Sequence, residues 1–285
     1  MARLHEIALL ALVSASAFAQ ETKVTIPDSV SVEANIPYKQ YKETVLDIMR
    51  PKAAASGKRP GVIVIHGGGW TGGTKEGHSQ ETCLRYVEKG FVCADVEYRL
   101  AKVATAPAAV TDVLDAAHWF EENAKKYDVD TKRIVVTGGS AGGHLSLMVG
   151  MTPKSAKLGP PAKIAAVVNF YGITDVGDQL GGPNMREYAV TWVPEGSGRL
   201  DLAKRVSPMT YVRKGLPPIL TIHGDADQTV PYEHGVKLTK ALRDAGDDAE
   251  LVSVPQGKHG FPKATEDEIY EHDIWPFLKK HGVME

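Results

Sequence analysis

The chain has little excess charge of either sign. Its 33 basic residues balance 35 acidic ones for a net charge of −2. With no basic stripe and no acidic tail, neither nucleic acid nor anionic lipid is indicated as a partner. Beyond residue 19 there is no apolar run near the roughly 20 residues that span a bilayer, so no stable membrane insertion is expected. A His-Glu-x-x-His pattern is missing, as is any clustered ligand spacing. Neither a metal nor another cofactor is therefore expected. Internal repeats and an interdomain linker are also lacking. Cysteine is scarce: Cys83 falls in an expected helix, Ser79 to Lys89, and Cys93 in the strand that follows it. Packed layers lie about 10 Å apart, whereas bridged α-carbons need about 4.4–6.8 Å. Two buried free thiols are the expectation.

What is present begins with a leader. Arg3 is followed by a short apolar stretch, Ile7 to Ala15, and by Ala17-Phe18-Ala19. That order reads as a signal peptide over residues 1–19, cut after Ala19, and so as a secreted or periplasmic protein. Residues 20–285 then suit one large domain that buries about 70–75% of its surface.

Up to about Gln40 the chain reads as irregular. Glu43 to Met49 alternates like an antiparallel edge strand. Short apolar runs follow: Gly61 to Ile65, Phe91 to Val96, Arg133 to Thr137, Ile164 to Phe170, Ile219 to Ile222 and Glu250 to Val254. Helical stretches separate them, including Pro107 to Lys126, Gly143 to Met151 and Tyr232 to Ala245, with a last one near Asp267 to Lys280. Strands that are apolar on both faces, alternating with helices, give an α/β fold with a mostly parallel sheet covered on both sides. Residues 172–206 break this rhythm, being rich in Gly, Pro and polar types. Their position suits a small lid insertion, with a surface excursion of no role as the alternative.

Chemistry gathers where parallel strands end. Gly138-Gly139-Ser140-Ala141-Gly142 closes one strand and opens a helix, the setting of a nucleophile elbow. Serine is a weak nucleophile and needs a histidine base held by a carboxylate. Two later strand ends offer these groups: His223-Gly-Asp225-Ala-Asp227 and Gly257-Lys-His259-Gly-Phe261. Chemistry alone does not separate Asp225 from Asp227. A fourth loop, His66-Gly67-Gly68-Gly69-Trp70, brings bare backbone close to any ligand and suits an oxyanion hole. His66 and His223 read as braces of their loops, and His144 as structural. Trp70 is a candidate for the substrate pocket, with packed core as its alternative.

These pieces, with Tyr98-Arg99-Leu100, resemble a secreted carboxylesterase of the α/β-hydrolase fold. The type is hormone-sensitive-lipase-like, near bacterial feruloyl and acetyl-xylan esterases. The resemblance implies Ser140 as nucleophile, His259 as base and Asp227 as acid. It also implies Gly68, Gly69 and Ala141 as oxyanion donors. Tyr98 and Arg99 read as supports beside the site. Larger members carry an N-terminal helical cap, and nothing before the first strand here reads as one, so any cover is expected to be small. The expected function is hydrolysis of short acyl or aryl esters, free or linked to polysaccharide. A serine peptidase, an aryl formamidase or a non-catalytic binding protein on the same fold are the rivals.

Overall fold

The computed structural model describes residues 24–285; the expected leader, residues 1–19, lies outside them. Eight strands and eight helices follow one another along the described chain. Two strands come first, β1 (Val30–Pro37) and β2 (Val45–Pro51). The alternating core then runs β3 (Arg59–Ile65), α1 (His78–Glu88), β4 (Val92–Val96), α2 (Ala108–Glu122), β5 (Val129–Gly139) and α3 (Ala141–Met151). It continues with β6 (Ala166–Phe170), α4 (Glu187–Trp192), α5 (Arg199–Arg205), β7 (Ile219–Gly224), α6 (Glu233–Ala245) and β8 (Ala249–Val254). The chain closes on α7 (Lys263–Ile269), a π-helical turn (Tyr270–Ile274) and α8 (Trp275–Lys280).

All eight strands form one sheet in the order β1-β2-β4-β3-β5-β6-β7-β8. The pairs β1/β2 and β2/β4 are antiparallel, and every other pair is parallel. Side-chain alternation sends each strand's apolar residues to two separate cores. Ile63, Ile65 and Val136 join Phe120, Leu145 and Leu238, from α2, α3 and α6. Val62, Val64 and Val135 join Tyr86, Trp275 and Leu278, from α1 and α8. Both faces are therefore covered, as double-sided hydrophobicity requires. The expected α/β-hydrolase architecture is the one observed.

Two expectations need correction. The stretch before Gln40 is not irregular throughout, because Val30–Pro37 forms the edge strand β1. Its pattern is interrupted at Asn35, where φ is 55° and the register with β2 shifts. The Asn35 N–H donates to Asp47 Oδ1 at 2.7 Å. The cysteines are not free thiols: Cys83 and Cys93 are bonded, with α-carbons 5.6 Å apart. A layer spacing describes helix axes, and an inward-facing α-carbon lies about 2.3 Å nearer the sheet. The tight turn from α1 into β4, through Lys89, Gly90 and Phe91, brings the two residues closer still.

Candidate active site

Ser140 stands between β5 and α3 with φ 58° and ψ −120°. Such a backbone costs about 1–3 kcal/mol in a non-glycine residue and survives only where its surroundings enforce it. Here a close approach does the enforcing. A β-carbon on Gly142 would lie 2.1 Å from the Ile65 carbonyl oxygen, and one on Gly138 would lie 2.4 Å from it. Only glycine at both positions lets α3 start against the end of β3. The Ser140 N–H donates to the Phe170 carbonyl at 2.9 Å, tying the turn to β6.

Three side chains from three strand ends meet at this turn. Ser140 Oγ is 2.8 Å from His259 Nε2, and His259 Nδ1 is 2.7 Å from Asp227 Oδ2. These partners assign the imidazole tautomer: Nδ1–H donates to the carboxylate, leaving Nε2 to accept from the serine. Asp227 Oδ1 accepts the N–H groups of Thr229 and Val230 at 2.8 and 3.1 Å. Burial alone raises the pKa of this carboxyl, but hydrogen bonds from His223, His259 and Thr229 outweigh it. The group is held well below the usual carboxylate range and stays ionised. Asp225, two residues earlier, is exposed and accepts the Gln256 N–H at 2.6 Å. It braces the loop and makes no bond to His259.

The glycine loop lines the same cleft as His259. Gly68 and Gly69 have φ of 109° and 57°. Among the described residues no acceptor takes the N–H of Gly68, Gly69 or Ala141, the last being the first residue of α3. His66 holds the loop from behind: Nδ1 is 2.7 Å from the Gly67 carbonyl and Nε2 is 3.2 Å from Glu97 Oε1. Its ring stacks on Tyr98 at 4.2 Å, and the Tyr98 hydroxyl donates to the His66 carbonyl. Arg99 grips Asp112 through two parallel bonds of 2.8 and 2.7 Å, fixing the loop that follows β4 to α2. His223 Nε2 donates to the Val230 carbonyl at 3.0 Å, within the acid loop.

Trp70 does not line the cleft. It is fully buried, stacked on Trp192 at 4.2 Å, and its Nε1–H donates to His144 Nδ1. His144 in turn donates from Nε2 to the Val206 carbonyl at 2.6 Å. The indole turns inward because Trp70 takes a left-handed backbone, φ 58°, at the end of the glycine run. The cleft wall beside the glycines is instead Tyr188, on α4, whose ring lies directly over Gly69. Sequence reasoning missed this residue, and nothing in an irregular segment marks it. The Tyr188 hydroxyl donates to Gln179 Oε1, and Gln179 Nε2 donates to the Thr229 carbonyl. Arg186 Nε reaches the same carbonyl at 2.9 Å. Residues 172–206 are thereby tied to the acid loop.

The cleft has a volume of about 620 Å³ and takes in Ser140, His259 and the glycine loop. Tyr171 flanks it, its ring 4.7 Å from that of His259. A group with metal-ligand spacing, Asp248, Glu250 and His281, lies elsewhere, just before β8, on it and just after α8. There Lys280 Nζ already bonds both carboxylates, at 3.1 and 2.8 Å.

Known proteins resemble this chain over most of its length. Esterase LipQ of Mycobacterium tuberculosis is 33% identical over 247 residues, covering 81% of this chain and 58% of that one. The chain thus spans less than two thirds of that relative. A truncated carbohydrate esterase from gut microbiota superposes with a TM-score of 0.76 at 27% identity, covering 92% of this chain and 98% of that one. Esterase 2 of the planctomycete Thermogutta terrifontis gives a TM-score of 0.73 at 26% identity, over 90% of this chain and 94% of its own. Other solved forms of that esterase are phosphorylated by paraoxon or hold butyrate. With the family model described as BD-FAE matching residues 46–242, the chain belongs to the BD-FAE family and shares the α/β-hydrolase fold of these esterases.

Proposed function

We propose that the protein is a serine carboxylesterase acting on short acyl or aryl esters through an acyl-enzyme on Ser140. The observation that carries this reading is the relay from Ser140 through His259 to Asp227, in one cleft with the unused N–H groups of the glycine loop. Ser140 Oγ attacks the ester carbonyl while His259 Nε2 takes its proton. The carbonyl oxygen becomes an oxyanion and accepts from the N–H groups of Gly68, Gly69 and Ala141. One such donor contributes about 2.7–4 kcal/mol in the transition state. As the tetrahedral centre collapses, His259 returns the proton to the leaving alkoxide and the alcohol departs. Water, deprotonated by His259, then attacks the acyl-serine; the carboxylic acid leaves and Ser140 regains its proton.

Residues 172–206 act in this reading as a small fixed cover, with Tyr188 as its contribution to the cleft wall. The alcohol is a small molecule or a polysaccharide hydroxyl, a choice in keeping with the name of the gut carbohydrate esterase. The leader 1–19 directs export of a single domain, 20–285. The buried Cys83–Cys93 bridge suits an oxidising compartment of that kind.

The test is a series of p-nitrophenyl esters of increasing acyl length, with Ser140→Ala as the control. Turnover should peak at roughly C2 to C6, because so small a cover encloses little apolar surface for a longer tail. Ser140→Ala should fall to background while remaining folded. A kcat/KM still rising past about C10 contradicts the small cover. Activity retained without the hydroxyl removes the nucleophile assignment.

A further inference from the structure

The glycine loop is made of residues that cannot hold it in place. Gly67, Gly68 and Gly69 bring bare backbone to the cleft, but without side chains their torsions are loosely constrained. His66 braces the loop at its start. The first side chain after the glycines is Trp70, which itself takes a left-handed backbone, φ 58°. In a residue with a β-carbon that conformation costs about 1–3 kcal/mol and persists only under outside constraint. Only the φ and ψ of Gly69 separate the peptide that carries its N–H from the peptide that enters Trp70. Where the indole is anchored, the donors next to it are anchored too.

His144 supplies the anchor. Its Nδ1 accepts the indole N–H at 3.1 Å in buried surroundings, and the two rings meet edge to face with centroids 5.0 Å apart. Burial lowers the imidazole to about 4, so Nδ1 stays unprotonated and able to accept. His144 also belongs to the turn that starts at the nucleophile, where its backbone N–H donates to the Ser140 carbonyl at 2.9 Å. One residue therefore joins the helix presenting Ser140 and Ala141 to the loop presenting Gly68 and Gly69. The same side chain donates from Nε2 to the Val206 carbonyl at 2.6 Å, and Trp192 stacks on the indole. Both partners lie in residues 172–206, so the cover is tied to the same point.

We infer that His144 is a positioning residue of the oxyanion hole, acting through Trp70 to hold the Gly68 and Gly69 donors in register with Ser140. The inference rests on the esterase reading of Ser140. Neither His144 nor Trp70 touches substrate; both are fully buried behind the cleft. Displaced donors would weaken the transition state far more than the bound ester, because full negative charge reaches them only in the tetrahedral state.

The experiment measures kcat and KM for p-nitrophenyl butyrate, counted per site labelled by a fluorophosphonate. Alongside it, the affinity for a trifluoromethyl ketone is measured, whose hemiketal oxyanion on Ser140 would occupy the hole. Trp70→Phe removes the indole N–H and keeps an aromatic ring against Trp192. Its kcat should fall about 10- to 100-fold at nearly constant KM, and the ketone should bind more weakly by a similar factor. His144→Gln reaches toward Val206 but moves the acceptor away from Trp70, and should behave alike. His144→Asn keeps an acceptor at the Nδ1 position and should recover most of the loss. Trp70→Phe serves alone if the histidine variants do not fold. A kcat per labelled site equal to the parent's in Trp70→Phe overturns the inference. So does a loss carried by KM, a loss with ketone affinity intact, or a folded His144→Asn no better than His144→Gln. A parent chain that turns over no ester, with Ser140 unlabelled, removes the esterase reading as well.

Discussion

Asp225 and Asp227 differ by two positions and by almost everything else. Asp227 is buried and spends one oxygen on His259 and the other on two backbone N–H groups. Asp225 faces solvent and only caps the turn at Gln256. Asp227→Asn would favour the wrong imidazole tautomer with little change in packing. By analogy with protease triads, kcat should drop by up to about 10⁴-fold. Asp225→Asn should cost no more than a lost surface hydrogen bond, about 1 kcal/mol of stability. Steady-state kinetics near neutral pH, with folding checked by circular dichroism, separates them; a crippled Asp225→Asn beside an active Asp227→Asn reverses the assignment. Both acids were legible as candidates because each follows a strand end, but the choice depends on which one the loop turns inward. Trp70 was ambiguous for a related reason. A residue after three glycines can point either way, and here its partners, Trp192 and His144, lie at distant positions that local pattern does not connect.

At the scale of elements, α1 and β4 form the cleft's outer support. The start of α1 lines the cleft through Ser79 and Thr82, and Cys83 bonds this helix to Cys93 on β4. The bridge closes a short segment, with a sequence separation of 10. Its loss should therefore cost about 2–3 kcal/mol, toward the lower end for disulfides. The double variant Cys83→Ala with Cys93→Ala should show a lower urea midpoint at unchanged slope. A midpoint equal to that of the parent would mean that packing of Tyr86 and Phe91 alone secures the helix. The parallel strands β3 to β8 were readable as short apolar runs because both their faces are buried. β1 was not, since its bulge at Asn35 breaks the alternation of Val30, Val32 and Ile36. The helices α4 and α5 are only six and seven residues long. Too short to show a period, they are held by contacts such as Tyr188 with Gln179 rather than by propensity.

Over the whole molecule, two buried histidines link stability to pH. His144 is lowered to about 4 by burial, with the Val206 carbonyl only partly offsetting it. His234 is also lowered by burial, against the pull of Asp178. Both are depressed below their unfolded values, so in the acid range the unfolded chain binds more protons than the fold. Stability should accordingly be flat above about pH 6.5 and decline as pH falls toward 4. His144 alone contributes up to about 3 kcal/mol of that decline. Urea titrations at pH 7, 5.5 and 4.5 would read it directly, and an unchanged midpoint would mean that these imidazoles are not held neutral.

The central claim is that Ser140 is an activated nucleophile. It is tested most directly by covalent labelling with a fluorophosphonate followed by peptide mass spectrometry. One adduct per chain should form, on Ser140, with esterase activity lost in proportion to labelling. The same treatment should leave Ser140→Ala unmodified. A chain that turns over esters while Ser140 stays unlabelled, or that carries its adduct on another residue, would contradict the account.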